Sequence, residues 1–481
     1  MDHQSESLKE TNVGIFGLVF QGIGQIAPIG IFAGSILGAA SFAWGATPLS
    51  FIIGFVAALL AGNTVFQYSK KVASARGYYS YVGGGLGYFA ATFVAFMYIL
   101  YQLANIGFIT INRLWSFASI INGITGSHIP QLSGLLFVII WIAFVIIVAI
   151  RGLKPSVRTQ IFLSLISLAF VFVVSAIIII KAPDNTLAVF TPISPPGING
   201  VFLGFITGTF LAFAGYGSLV PLGEEVKAPK KTIGISVILL ISITAIVDIV
   251  GSYAMTVGWG YKIMSSFTSS VRPGFFEVNK YVGLIPEYIF LSIFLAVLYS
   301  LVLTMFTALT RVLYAMGRDG ILPNFLSKTH KKFGTPVNAI YVGVIFMLIL
   351  ITPISFGFYF LAGFSGGLLD TWLVFALMAS LGSILIHIIT NSSLSVDKRF
   401  KEKSLSHVVI HIIVPSATSV VFIVALSYSL NGIPTYLLVA PILILVYSIG
   451  VVLFTYNKRH RLKKLDFQGI DENLTISNTG R

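Results

Sequence analysis

The chain has 481 residues, 56% of them hydrophobic and only 10% charged, with a mean hydropathy of +0.93. Soluble domains carry about 25% charged residues, so a soluble globular protein is excluded and an integral membrane protein is indicated. The net charge of +14 lies in short clusters between apolar stretches of about 20 residues, the length that crosses a bilayer as a helix, so the expected partner of these charges is lipid and not nucleic acid.

Residues 1–12 are polar and read as a cytoplasmic tail, and no cleavage-site pattern follows them. Apolar runs set against Gly and Pro breakers then predict about twelve spans, at 13–41, 48–69, 86–115, 130–150, 156–180, 198–222, 233–258, 286–315, 337–354, 358–388, 406–428 and 434–456. With the N-terminus inside, 25 Lys and Arg fall on the inner side and 5 on the outer. That bias puts both termini in the cytoplasm and predicts a multi-pass protein of the cell membrane. The basic tail, 457–481, opens with NKRHRLKK and reads as an anchor on anionic lipid. Cysteine is absent, which excludes disulfides and thiolate metal sites.

Two spans are interrupted. In the first, GIGQIAPIGIFAG (22–34), Pro28 has no N–H to donate, and Gly22, Gly24, Gly30 and Gly34 weaken the helix around it. In the sixth, FLAFAGYGSLVPLGEE (210–225) carries three glycines and a proline. Hydrocarbon cannot satisfy freed backbone groups, so other protein groups, cavity water or a ligand must do so. Interruptions five spans apart predict inverted repeats, here 13–180 and 198–388 with two extra spans at 406–456, and a binding site at the midplane between them. Half-helix ends carry opposite partial charges that suit a zwitterion; the alternative is that these residues only kink their helices.

Three stretches carry a resemblance: AFAGYGSLVPLGEEVKAPKKTIG (212–234), VASARGYYSYVGGGLG (72–87) and TALTRVLYAMGRDGILPNFLSKTHKKFGTPVNAI (307–340). Together they make residues 13–456 resemble the amino acid–polyamine–organocation permeases. The resemblance implies an all-α membrane protein with a five-plus-five inverted-repeat, LeuT-like fold and discontinuous spans one and six. It implies a secondary transporter that moves amino acids by alternating access, or else a polyamine transporter of the same fold or an exchanger without ion coupling. It nominates the Ile29 and Gly30 amides for a substrate carboxylate, the Ile26 and Ala214 carbonyls for its ammonium group, and Phe213 as a closing ring. The small residues Ala27, Ala214, Gly215 and Gly217 would leave room for a bulky or apolar side chain. Three departures stand out: Pro28 replaces a residue with an N–H, Gly217 stands where many members carry glutamate, and Ser167 where some proton-coupled members carry lysine.

In the third span, Tyr98, Tyr101, Gln102 and Asn105 share one helical stripe, available for pocket lining or for helix packing. In the eighth, Ser300, Thr304 and Thr307 could complete an oxygen cage for sodium or serve packing alone. Asp248 and Asp370 are acids within spans, costly in lipid and therefore candidates for proton or ion coupling. His387 and His411 fall toward cytoplasmic span ends and read as interfacial, as do the tyrosines of RGYYSYVGGGLG. Glu224 and Glu225 adjoin Lys227, Lys230 and Lys231, and Arg311, Arg318 and Asp319 end the eighth span; together they can form ion pairs that latch the cytoplasmic side, the alternative being a solvated loop. No P-loop, HExxH or Cys/His cluster supports an enzyme or a bound cofactor, and no filter-like repeat supports a channel. Substrate identity, the coupling ion and the oligomeric state stay open.

Overall fold

Four glycines turn the chain at the ends of long helices: Gly87 (φ 77°, ψ −176°), Gly152 (φ 101°, ψ −173°), Gly283 (φ 113°, ψ 178°) and Gly363 (φ 71°, ψ −173°). A side chain closes this part of conformational space, so each corner requires glycine. They belong to a computed structural model that describes residues 7–130, 133–270, 272–400, 404–430, 435–465 and 467. The first six residues, Lys401, Lys403 and the basic tail beyond Phe467 lie outside the described residues.

In chain order the helices are α1 (Ile15–Ile26), α2 (Ile36–Ala43), α3 (Thr47–Ser69), α4 (Tyr78–Thr125), α5 (Ser133–Arg151), α6 (Leu153–Lys181), α7 (Gly197–Gly204) and α8 (Phe210–Phe213). There follow α9 (Pro229–Trp259), α10 (Pro273–Val282), α11 (Leu284–Arg318), α12 (Val337–Val396), α13 (Leu405–Val408), α14 (Val414–Leu430) and α15 (Val439–Asn457). Among the described residues the one extended pairing is a parallel bridge, Val13 with Val226. Among the described residues ten segments are long and apolar enough to cross a bilayer, while the pieces Ile15–Ile26 and Gly197–Thr209 are shorter. These two pieces belong to the interrupted spans.

The glycine corners impose an order that occurs twice. A short arm, Tyr78 to Leu86, meets the long part of α4 at Gly87, as α10 meets α11 at Gly283; α5 then turns into α6 at Gly152, as the two parts of α12 meet at Gly363. Two sequence expectations shift accordingly. The chain stays helical through Pro353 and 355–357, and the corner comes at Gly363, because a proline only kinks a helix whereas this turn needs positive φ. The arm's Tyr78, Tyr79 and Tyr81, read from sequence as interfacial, are buried within the protein, with Tyr81 stacked on Tyr68 at 4.7 Å.

Helix burial separates the centre from the rim. The membrane stretch of α4 is 89% buried and packs on α11 and α12, whereas that of α15 is 17% buried. Exposed Leu445, Val446 and Leu453 make α15 a lipid-facing helix, since apolar surface carries no penalty there. On the other side α1 packs against α6, α9 and α11, which brings the first interruption into the interior.

Candidate functional site

The first interruption follows from one missing donor. Pro28 cannot bond the Gly24 carbonyl, and the Ser300 hydroxyl reaches that carbonyl at 3.3 Å in its place. Ala27 turns to left-handed geometry (φ 52°, ψ 75°), unusual for a residue with a Cβ. Beyond it Gly30 N donates to Ala27 O at 2.6 Å and Ile31 N to Pro28 O at 3.2 Å, closing a tight turn before the π-helical stretch Ile31–Ser35. The Ile29 amide leaves the chain altogether and donates to Ser167 Oγ on α6 at 2.8 Å. Among the described residues, no hydrogen bond ends on the Gln25 or Ile26 carbonyl from the residues past the break.

The two nominated carboxylate donors, Ile29 and Gly30, are therefore both engaged in this structure, one by a side chain and one by the turn. Ile26 and Gly30 keep partial exposure, while Ala27 and Ile29 are buried. A Cβ on Gly30 would meet only Ala27 Cβ, at 3.5 Å, so alanine fits there and a larger side chain would project past it.

The sixth span loosens instead of opening. A π-helical stretch, Phe205–Thr209, leads through α8 into a 3₁₀ turn, Ala214–Ser218, and a second, Val220–Leu222. The interruptions touch at Gly215, where a Cβ would lie 2.7 Å from Ile26 Cγ1 and 3.2 Å from Gly22 O. Tyr98 donates its hydroxyl to Gly217 O at 3.1 Å and accepts from Gln102 Nε2 at 2.7 Å. Tyr101 packs on Gly382, and Asn105 Nδ2 turns back to Tyr101 O at 3.0 Å. The Phe213 ring lies against Gly54 and Phe55 of α3.

His387 departs from its interfacial reading. It is buried, Nδ1 donates to Ser383 O at 2.7 Å, and Nε2 accepts from the Tyr216 hydroxyl at 2.7 Å, the assignment that satisfies the carbonyl in a neutral ring. It lines a small void of about 10 Å³ together with Tyr216, Ser383, Gly54, Ala58, Phe210, Phe213 and Phe422. Its place in the last third of a span hid this role; Tyr216 one turn beyond Phe213 was the available signal.

The eighth-span hydroxyls do face the first interruption. Thr304 Oγ1 lies 3.4 Å from Gln21 O, but Gln160 Nε2 donates to it at 2.7 Å and to Ser300 O at 3.0 Å. Gln160 Oε1 is also in hydrogen-bond contact with Ser300 Oγ. An amide NH₂ thus stands in this structure where a cation would meet these oxygens. Thr307 donates to Leu303 O within its own helix. Lone Gln160 gave no pattern in sequence.

Asp248 is 1% exposed, and neither carboxylate oxygen has a hydrogen-bond partner among the described residues. It stands one turn before Gly251, where a Cβ would lie 3.1 Å from the Phe32 ring. The side chains of Gln25, Ser164 and Thr244 likewise hold unpartnered buried oxygens, on α1, α6 and α9, which pack together. Asp370 is partly exposed, about two turns past the Gly363 corner.

On the face carrying the N-terminal segment, the acids after the sixth span pair with α11 arginines and not with Lys227, Lys230 or Lys231. Glu225 bonds Arg311 at 2.6 and 3.0 Å with both side chains buried, and Glu224 bonds Arg318 twice at 2.8 Å. Asp319 holds Arg76 at 2.7 Å and accepts from Tyr79 at 2.9 Å. Burial would push the Glu224 carboxyl up, but Arg318 outweighs it and holds it below the usual range. Burial would lower the Arg76 pKa, and Asp319 raises it instead. The N-terminal segment seals the same face, with Thr11 N donating to Glu225 O at 2.8 Å.

Comparison with known proteins gives the family. The family model described as amino acid permease matches residues 17–466. The branched-chain amino acid permease of Bacillus subtilis is 27% identical over 357 residues, covering 69% of this chain and 72% of the relative. The methylthioribose transporter of the same organism is 27% identical over 356 residues, with 69% and 72% covered. Cationic amino acid transporter 4 of Mus musculus is 24% identical over 367 residues, with 72% and 56% covered.

Proposed function

The chain belongs to the amino acid permease family, and from that premise we propose that it carries an α-amino acid with a small or apolar side chain across the cell membrane by alternating access. The observation that carries this reading is the freed pair of carbonyls, Gln25 and Ile26, opposite a turn whose Ile29 amide is held only by the Ser167 hydroxyl. Carbonyls suit an ammonium group, and an amide that can exchange a hydroxyl for a carboxylate suits the other end of a zwitterion. Ile26, Ala27, Ile29, Gly30, Phe213, Ala214, Gly215, Tyr101 and Asn105 form the proposed substrate region, with Asp248, Asp370, Thr304 and Thr307 as proposed coupling or gating residues.

An apolar side chain is favoured over a cationic one by the lining. No acid lines the small void beside the second interruption, where Gly54, Ala58, Phe210, Phe213 and Phe422 are joined by the neutral polar side chains of Tyr216, Ser383 and His387. The relatives' names span branched-chain and cationic amino acids and methylthioribose, so a choice among them needs such local chemistry. The paired glycine corners support two inverted repeats, 13–180 and 198–388, and the bias of basic residues supports cytoplasmic termini.

The reading is tested by uptake of labelled amino acids into proteoliposomes containing the full chain, with proton and sodium gradients imposed separately. Leucine, isoleucine, valine and alanine should accumulate and compete with one another, whereas lysine and putrescine should not. Preferential uptake of lysine or putrescine would overturn the substrate assignment.

A further inference from the structure

On the face that carries the N-terminal segment, a cavity of about 310 Å³ lies between that segment, the α5–α6 corner and the turn before α12. Lys9, Arg151 and Lys154 line it, and none of them is in an ion pair among the described residues. Two acids line it as well. Glu225 is already bound to Arg311 at 2.6 Å, so Glu10 is the remaining counter-charge.

Helix α6 starts at this cavity without a cap. Its N-cap residue is Gly152, which has no side chain to accept a hydrogen bond, and the third helical residue is Pro155, which has no N–H. Among the described residues, neither the Leu153 nor the Lys154 amide donates to any acceptor. Orphan amides at the positive end of a 29-residue helix, in a cavity lined by three cations, form an environment for an anion.

We propose that this cavity binds a phosphomonoester, whether free or as a lipid headgroup, and that the bound anion fastens the N-terminal segment to the α5–α6 corner. Three cations against Glu10 leave two positive charges, which match the charge of a phosphomonoester near neutral pH. The segment concerned already spans the latch, through Lys9 N to Gly334 O at 3.3 Å and Lys227 N to Val13 O at 3.0 Å. An anion there stabilises the closed arrangement of this face. The site lies apart from the helix interruptions and stands whatever substrate they take.

The test uses the full chain in two arms, one in neutral detergent titrated with inorganic phosphate and one in phosphatidylcholine nanodiscs with and without phosphatidic acid. Saturable thermal stabilisation by phosphate, absent with potassium chloride at matched ionic strength, identifies free phosphate as the ligand; stabilisation by phosphatidic acid alone identifies a headgroup. In whichever arm responds, Arg151→Gln with Lys154→Gln should weaken the apparent affinity by about tenfold or more, because two charged donors are lost. Lys9→Gln alone should weaken it less, and Lys458→Gln with Lys463→Gln, removing equal charge elsewhere, should leave it unchanged. Absence of a saturable response in both arms, or equal weakening in the two double variants, would overturn the proposal. These side chains lie at the surface, so their removal leaves no packing defect to confuse the result.

Discussion

The Ile29 amide and the Ser167 hydroxyl meet at 2.8 Å across two helices, with Ile29 fully buried. Ser167 thereby satisfies the donor that we propose for a substrate carboxylate. Ser167→Ala should orphan this amide and lower the stability of the empty protein by about 1–3 kcal/mol. It should also lower KM and increase substrate-induced thermal stabilisation, since no competitor remains. Unchanged stability together with a raised KM would instead make Ser167 a direct substrate contact.

The Glu225–Arg311 pair has both partners buried, so breaking one side should cost more than removing both. Arg311→Met leaves an unpaired buried carboxylate and is expected to cost about 3–5 kcal/mol, while adding Glu225→Gln should restore most of that loss. Thermal unfolding of the parent and these two variants measures the difference. Because the chain has no cysteine, Ser218→Cys introduces a single thiol between the second interruption and the latch. It should resist labelling from the N-terminal face until the pair is removed, and equal labelling with the pair intact would show that the latch does not gate this path.

Glu224 fixes the pH range of the latch. Its folded carboxyl lies below the ordinary value of 4.5 because Arg318 outweighs burial. A depressed acid contributes stability that is present above its unfolded pKa and lost as pH falls through the folded one. The latch is therefore expected to stay formed from about pH 5 upward and to fail only in stronger acid. Stability measured at pH 5.5 and 7.5 should respond equally to Glu224→Gln, and a large difference between them would contradict this sign.

Glu277 behaves in the opposite sense. It is buried in α10 with both oxygens unpartnered among the described residues, and burial pushes its carboxyl well above the ordinary 4.5, Lys280 opposing only in part. A raised acid favours the protonated form, so its contribution is best below the unfolded pKa and declines as pH rises toward the folded one. Glu277→Gln should stabilise the protein at pH 8.5 and change little at pH 4.5. Destabilisation at high pH would mean that the charged form has a partner.

Asp248 carries the coupling question, for a carboxylate without partners is costly in the membrane interior and persists where it is used. Asp248→Asn should fold at least as well as the parent and lose the dependence of uptake on an imposed proton gradient. Uptake with unchanged gradient and pH dependence would remove Asp248 from the mechanism.

Pro28 and the glycines of the two interruptions were legible from sequence because missing donors and absent side chains act locally. So was the helical class, from the length of the apolar runs. The Gly363 corner was not, since a glycine at positive φ looks the same in sequence as Gly357 within a helix. Partners drawn from distant spans were hidden for a similar reason: Ser167, Gln160 and His387 gain their roles from helices 130 or more residues away, at Ile29, Ser300 and Tyr216. The latch acids were recognised, but their choice of Arg311 and Arg318 over adjacent lysines depends on how α11 packs.

The most direct measurement is a density map of the full chain with a transported amino acid bound. The ligand's ammonium group is expected within hydrogen-bond distance of the Ile26 carbonyl, with its carboxylate at the Ile29 amide and Ser167 displaced from that donor. A ligand bound elsewhere, with the Ile29–Ser167 bond intact and the Ile26 carbonyl still unpartnered, would contradict the assignment of these freed peptide groups to substrate.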